Sequence, residues 1–206
     1  MKEHLKNNSV KLVGDIVSDF EYSHEVYGEK FNRVMLQVER TSGITDTIPL
    51  ILSERLYGNN DCVGKKVEVY GQLRTWNQQM ENGKTRLIVA VFVRDICFVN
   101  DFAYHYNSVI LEGYVVKPPV YRQTPLGREI ADIMIAVNRP YGKSDYIPCI
   151  SWGRNAKFSG GLKVGDKIEV HGRIQSREYQ KKVGKNQFVN RVAYELSISK
   201  ISLMEG

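Results

Sequence analysis

The chain has 206 residues, 42% of them hydrophobic and 25% charged, which is enough for packed cores and excludes a disordered polymer. Its longest apolar run, Leu87 to Val93, is far below the roughly 20 residues of a membrane-spanning helix, and residues 1–8 hold no apolar leader, so a soluble cytoplasmic protein is expected. The net charge of +6 is uneven: residues 1–106 hold 13 Lys and Arg against 14 Asp and Glu, and residues 107–206 hold 16 against 9, which points to an anionic partner for the second half.

The first predicted strand opens with Asn8-Ser9-Val10-Lys11-Leu12-Val13-Gly14, which returns 99 residues later as Asn107-Ser108-Val109-Ile110-Leu111-Glu112-Gly113. The same offset sets Gly28 on Gly127, Met35 on Met134, Arg40 on Arg139, Asp46 on Asp145 and Ile48-Pro49 on Ile147-Pro148. At an offset of 101 the match resumes, with Gly64 on Gly165, Val69 on Val170 and Gly71 on Gly172. A repeat this long is a duplicated domain, not a solenoid unit. The expected division is a first domain over 1–99, a linker over 100–106 and a second domain over 107–206.

Both copies read as all-β. In the first, Val67, Val69, Gly71 and Leu73 alternate with Glu68, Tyr70, Gln72 and Arg74; in the second, Ile133, Ile135 and Val137 alternate with Met134, Ala136 and Asn138. Pro125-Leu126-Gly127, Pro140-Tyr141-Gly142 and Val164-Gly165-Asp166 mark turns between strands. Only Ser53–Tyr57 and Asn155–Phe158 suit brief helices. About five strands with one helical turn between the third and fourth fit a small closed barrel, which leaves no open sheet edge. The linker, with Phe102, Tyr104 and Tyr106 and no Gly or Pro, is expected to be packed.

Signals of catalysis are scarce. Gly142-Lys143-Ser144 resembles the end of a phosphate-binding loop, but Val137 stands where the earlier glycine is required. The four histidines are scattered, and Cys62, Cys97 and Cys149 form no metal or disulfide pattern and are expected to be small buried residues. No enzyme activity, metal or cofactor is therefore expected. What remains is an aromatic and basic set in the second copy. Tyr146, Pro148, Ile150 and Trp152 share one strand face, and Ile147, Cys149 and Ser151 share the other. Both faces carry apolar residues, so parity leaves the inward side open. With Ile147 and Cys149 inside, Tyr146 and Trp152 become flat rings on an outer sheet, bordered by Lys and Arg, where unpaired bases stack and phosphates meet cations. Tyr179 follows Arg177, and Lys181, Lys182 and Lys185 crowd the hairpin beyond.

Several segments of this copy, in order, carry a family resemblance: Val109-Ile110-Leu111-Glu112-Gly113, Tyr121-Arg122-Gln123-Thr124-Pro125-Leu126-Gly127, Ala136-Val137-Asn138-Arg139-Pro140-Tyr141, Asp145-Tyr146-Ile147-Pro148-Cys149 with Trp152, and Gly172-Arg173-Ile174-Gln175-Ser176-Arg177-Glu178-Tyr179. This collinear set resembles the bacterial single-stranded DNA-binding protein family. The resemblance implies two tandem OB-fold domains, each a five-stranded Greek-key barrel, and non-catalytic protection of single-stranded DNA in replication, recombination or repair. It assigns base stacking to Tyr141, Tyr146, Trp152 and Tyr179, with Arg122, Arg139, Arg154, Arg173 and Arg177 as neighbouring phosphate contacts. It also implies a homodimer, giving four barrels, since family members with one barrel per chain form tetramers.

The first copy departs from this pattern, with Ser42, Thr47, Ser53 and Gln78 at the four ring positions. Trp76 and Tyr70 are possible substitutes, but Leu50, Ile51 and Leu52 are apolar on both faces and suit a covered, subunit-contacting sheet equally well. The chain stops at Ser202-Leu203-Met204-Glu205-Gly206 without the acidic tail by which family members recruit enzymes, so recruitment by that route is not expected. Two other readings stay open: single-stranded RNA as the ligand, or a replication-restart or assembly module whose barrels hold another protein.

Overall fold

In a computed structural model, which describes residues 7–58, 62–80, 83–100, 103–184 and 187–204, the two copies build the same set of elements. The first contributes β1 (Asn8–Ile16), β2 (Glu21–Val26), β3 (Glu29–Glu39), β4 (Thr45–Ser53), α1 (Glu54–Tyr57), β5 (Lys66–Gln79) and β6 (Thr85–Phe98). The second contributes β7 (Tyr106–Val115), β8 (Val120–Gln123), β9 (Glu129–Asn138), β10 (Ser144–Trp152), α2 (Arg154–Gly160), β11 (Lys167–Gly184) and β12 (Gln187–Leu203). The hydrogen-bonded order is β2-β3-β4-β6-β5-β1-β7-β11-β12-β10-β9-β8, with added pairings β3–β1 and β7–β9 that close each half on itself. The ring in the first half is therefore β1, β3, β4, β6 and β5; β2 is an arm outside it, paired to β3. Five ring strands with the helix between the third and fourth agree with the sequence expectation. The parallel pairings β4–β6 and β10–β12 supply the Greek-key crossing.

The period-two pattern becomes a sided barrel wall. Val67, Val69 and Leu73 of β5 are buried, as are Ile168, Val170 and Ile174 of β11, and they pack with Leu12, Leu36, Ile48 and Leu111. Each such side chain taken from water contributes about 1.5–3 kcal/mol. The first helix begins at Glu54, with Ser53 as its cap: the Ser53 hydroxyl accepts from Arg55 N at 3.2 Å. The second runs a turn longer than expected.

Two pairs of duplicated glycines have one cause. A β-carbon built on Gly14 would overlap the Gln37 carbonyl oxygen, and one on Gly113 the Ala136 oxygen; Gly71 and Gly172 would strike Phe92 and Ser197 in the same way. Gly71 and Gly172 also sit at register shifts of β5 with β6 and β11 with β12, where the strands bend to close the barrel. Gly172→Ala is expected to cost about 1–3 kcal/mol or more, about 2–4 °C of melting temperature per kcal/mol at this size. A thermal melt indistinguishable from the parent chain would contradict the close approach.

Where the copies meet, β1 pairs antiparallel with β7 in a self-complementary register: Val10 opposite Val109, Asn8 opposite Leu111, and Leu12 opposite Asn107. Each opposed pair relates a residue to the repeat of its counterpart, so a pseudo-twofold axis passes between Val10 and Val109. The repeated asparagines brace this seam. Asn8 exchanges two 2.8 Å bonds with the Leu73 backbone, and Asn107 exchanges bonds of 2.8 and 2.9 Å with that of Ile174.

The connector departs from the aromatic packing expected of it. Tyr104 and Tyr106 are exposed, and Phe102 lies outside the described residues. His105 ties this segment down instead: Nδ1 accepts from Glu39 N at 2.8 Å and Nε2 lies 2.8 Å from Asp15 Oδ2. Cys62 and Cys149 are buried as expected, but Cys97 is exposed, because it falls on the outer side of β6 near the end of that strand.

Candidate nucleic-acid interface

The barrel core resolves which way β10 faces. Ile147, Cys149 and Ser151 point inward and are buried, while Tyr146 and Trp152 point outward and remain 51% and 40% exposed. Burial pushes the Cys149 thiol well above its ordinary range, so it serves as a packed apolar group. Ile150 is buried as well, so the outward face is wet only near its ends. Tyr141 stands on the 3-10 turn Pro140–Gly142 between β9 and β10. Its φ of 64° places a tyrosine in the left-handed region, and its side chain is 98% exposed. Tyr179 is half-buried on β11, with the Arg177 guanidinium 5.8 Å from its ring centre.

The cations fall into two groups. Arg154 at the start of α2, Arg173 on β11, and Lys181 and Lys182 toward the hairpin tip are exposed and have no acid within ion-pair distance among the described residues. Lys185 lies outside the described residues. Arg177 Nε is 3.8 Å from Glu195, and Arg122 is 3.0 Å from Asp132 on the exposed β8–β9 hairpin. Arg139 is committed further: its Nε lies 3.4 Å from the buried Asp145 yet has no hydrogen-bond partner. Arg122 and Arg139 thus each hold a carboxylate already.

Asp145 and its repeat Asp46 are fully buried, and they form a reciprocal clasp between the halves. Asp145 accepts from Thr75 N at 2.8 Å and from Arg74 at 3.0 Å, both in the first half, and Tyr146 N donates to Thr75 Oγ1 at 2.8 Å. Asp46 accepts from Ser176 N at 2.8 Å in the second half and takes a two-pronged bond from Arg40 at 2.6 Å. Asp46 holds the Arg40 guanidinium above its ordinary range, whereas burial pulls Arg74 below it against the opposing pull of Asp145. Thr75 and Ser176 are repeats of one another, so each half lends its carboxylate to the hairpin strand of the other. None of these contacts was singled out from the sequence; the pairing of Asp46 with Asp145 in the repeat was the available signal.

The clasp carries β11 alongside β4 and β5 alongside β10. Leu50 and Leu52 are buried in the core of the first barrel and Ile51, on the other face of β4, is buried as well, so the apolar strand is covered within the chain. Of the four positions lacking rings in the first half, Ser53 caps α1, and Thr47 N donates to Ser176 Oγ at 3.3 Å. Among the described residues no group of three or more His, Cys, Asp or Glu is placed to hold a metal ion, and no helix is long and apolar enough to cross a membrane.

Two closed Greek-key barrels, one presenting outward rings beside unpaired cations, define a tandem OB-fold protein. Residues 106–204, the second barrel, match the model of the single-strand binding protein family. Over 96 residues it is 36% identical to a single-stranded DNA-binding protein of Halalkalibacterium halodurans, covering 43% of this chain and 57% of that one. It is likewise 36% identical over 96 residues to single-stranded DNA-binding protein A of Bacillus subtilis, covering 43% and 56%. The chain thus spans less than two thirds of these relatives' length. The whole fold is similar to a crystal structure of the single-stranded DNA binding protein from Thermus aquaticus, with a TM-score of 0.78, 20% identity, and coverage of 97% of this chain and 95% of that one.

Proposed function

We propose that this chain binds single-stranded DNA without catalysis and with little dependence on base sequence, shielding it during replication, recombination or repair. The observation that carries the reading is β10, where Tyr146 and Trp152 face solvent above an inward row of Ile147 and Cys149. A base stacked on such a ring contributes about 1–3 kcal/mol whatever its identity, because every base offers a π-face. The exposed Arg154, Arg173, Lys181 and Lys182 supply the phosphate contacts. On this reading residues 107–206 do most of the binding, residues 1–99 form a diverged barrel that positions them, and 100–106 join the two. Two copies in a homodimer would present four barrels.

The test is a titration with oligothymidylate at several salt concentrations, followed by tryptophan emission. Binding is expected to quench emission, with a slope of log K against log salt of about −0.7 for each neutralised phosphate. No binding at low salt overturns the proposal. Competition with a matched RNA strand is the companion measurement, and tighter binding of the RNA would move the reading to RNA.

A further inference from the structure

The β11–β12 hairpin runs alongside β4, and between it and the β5–β6 hairpin is a cleft of about 750 Å³. Arg33, Trp76, Arg86, Tyr179, Lys181 and Arg191 line it, over a floor that includes Pro49 and Ile51. Its acids are Glu21 and Glu195, and Glu195 already accepts from Gln175 at 2.7 Å and lies 3.8 Å from Arg177. A second cleft of about 580 Å³ opens beyond Trp76, lined in part by Arg74, Arg94 and Arg139. Trp76 lines both clefts, and it is 41% exposed. Arg33 and Arg191 have no acid in ion-pair range among the described residues, and the buried Nε of Arg139 has no hydrogen-bond partner.

Resting on the binding reading above, we infer that the unpaired strand continues from the second barrel into this inter-barrel cleft and stacks a base on Trp76. Trp76 stands two positions before Gln78, the repeat of Tyr179, and so shares its strand face, one period of about 7 Å back along β5. The ring missing at position 78 is thus replaced by one on the same face, and the offset of 101 sets Trp76 on Arg177 of the other hairpin. A half-exposed indole between two clefts rich in arginine offers what a strand needs at each step, a flat apolar surface with cations on both sides. Arg86 donates to Val192 O at 3.0 Å and fastens one hairpin to the other beside the cleft. Tyr179 lines the same space, so the cleft meets the ring set of the second barrel at this residue.

The chain has two tryptophans, so Trp152→Phe leaves Trp76 as the single emitter. This variant is titrated with labelled oligothymidylate of about 32 nucleotides, long enough for two barrels at about 4–16 nucleotides each. Strand anisotropy reports binding and Trp76 emission reports contact. The expected result is quenching of Trp76 with the same midpoint as the anisotropy change. In the parent background, Trp76→Ala is expected to weaken binding of this strand about five- to a hundredfold, Trp76→Phe to retain most of it, and the Arg33→Gln, Arg191→Gln double variant to flatten the salt slope by about 1.4. A strand that binds while Trp76 emission stays constant overturns the inference and leaves the binding reading standing. An absence of anisotropy change in the parent chain overturns both.

Discussion

Alanine at Trp152 or Tyr146 is expected to weaken binding of oligothymidylate by about 1–3 kcal/mol each, about five- to a hundredfold. The two rings are six residues apart on β10, about 20 Å at about 3.4 Å per residue, too far to share one base, so the double variant should lose nearly the sum. Both side chains face outward, so the melting temperature should move little. A strand of about eight nucleotides, enough for one barrel, separates the halves. Trp152→Ala and Tyr146→Ala should lose affinity for it while Trp76→Ala does not, and equal losses from all three would show that the second barrel does not dominate.

Asp145→Ala is expected to be among the most destabilising single changes, at about 3–5 kcal/mol. It strands Arg74, whose side chain is only 16% exposed, beside the repelling Arg139, and leaves the buried Thr75 N–H without an acceptor. At about 2–4 °C per kcal/mol this is about 6–20 °C of melting temperature. Asp145→Asn keeps an acceptor for Thr75 and should lose less. The cost should extend beyond stability, because Asp145, by accepting from Thr75 N, also fixes the strand that presents Trp76 against the one that presents Tyr146. A loss below about 1 kcal/mol in urea or thermal unfolding would show that the clasp contributes nothing beyond what water supplies.

The duplication made the fold legible. Matching Val69 to Val170 and Gly71 to Gly172 separates positions the barrel requires from those free to vary, and the period-two rows then give the sidedness of β5 and β11. The direction of β10 was legible only as a pair of alternatives, since Ile150 and Pro148 make its outer face nearly as apolar as its inner one. Closure of the barrel decides it. The clasp was not legible, because Asp145 meets Thr75 across 70 residues and Asp46 meets Ser176 across 130, with no local pattern to announce either. Tyr104 and Tyr106 misled for a related reason: aromatic content suggested packing, whereas polar contacts hold the segment, His105 to Glu39 N and the Asp15 carboxylate and Lys66 to Ala103 O. Trp76 was visible as a ring, but its place between two arginine-lined clefts depends on how the hairpins cross.

The seam at Val10 and Val109 joins two parts of one polypeptide. Each barrel meets the other at the high effective concentration of a tethered partner, and dilution does not part them. Mutation therefore reaches each half separately: Ser42 can replace a ring in one barrel while Tyr141 persists in the other, and Gln175 can stand on one side of the axis where Arg74 stands on the other. A symmetric ring of identical single-barrel subunits has no such freedom, since every substitution lands in all of them at once.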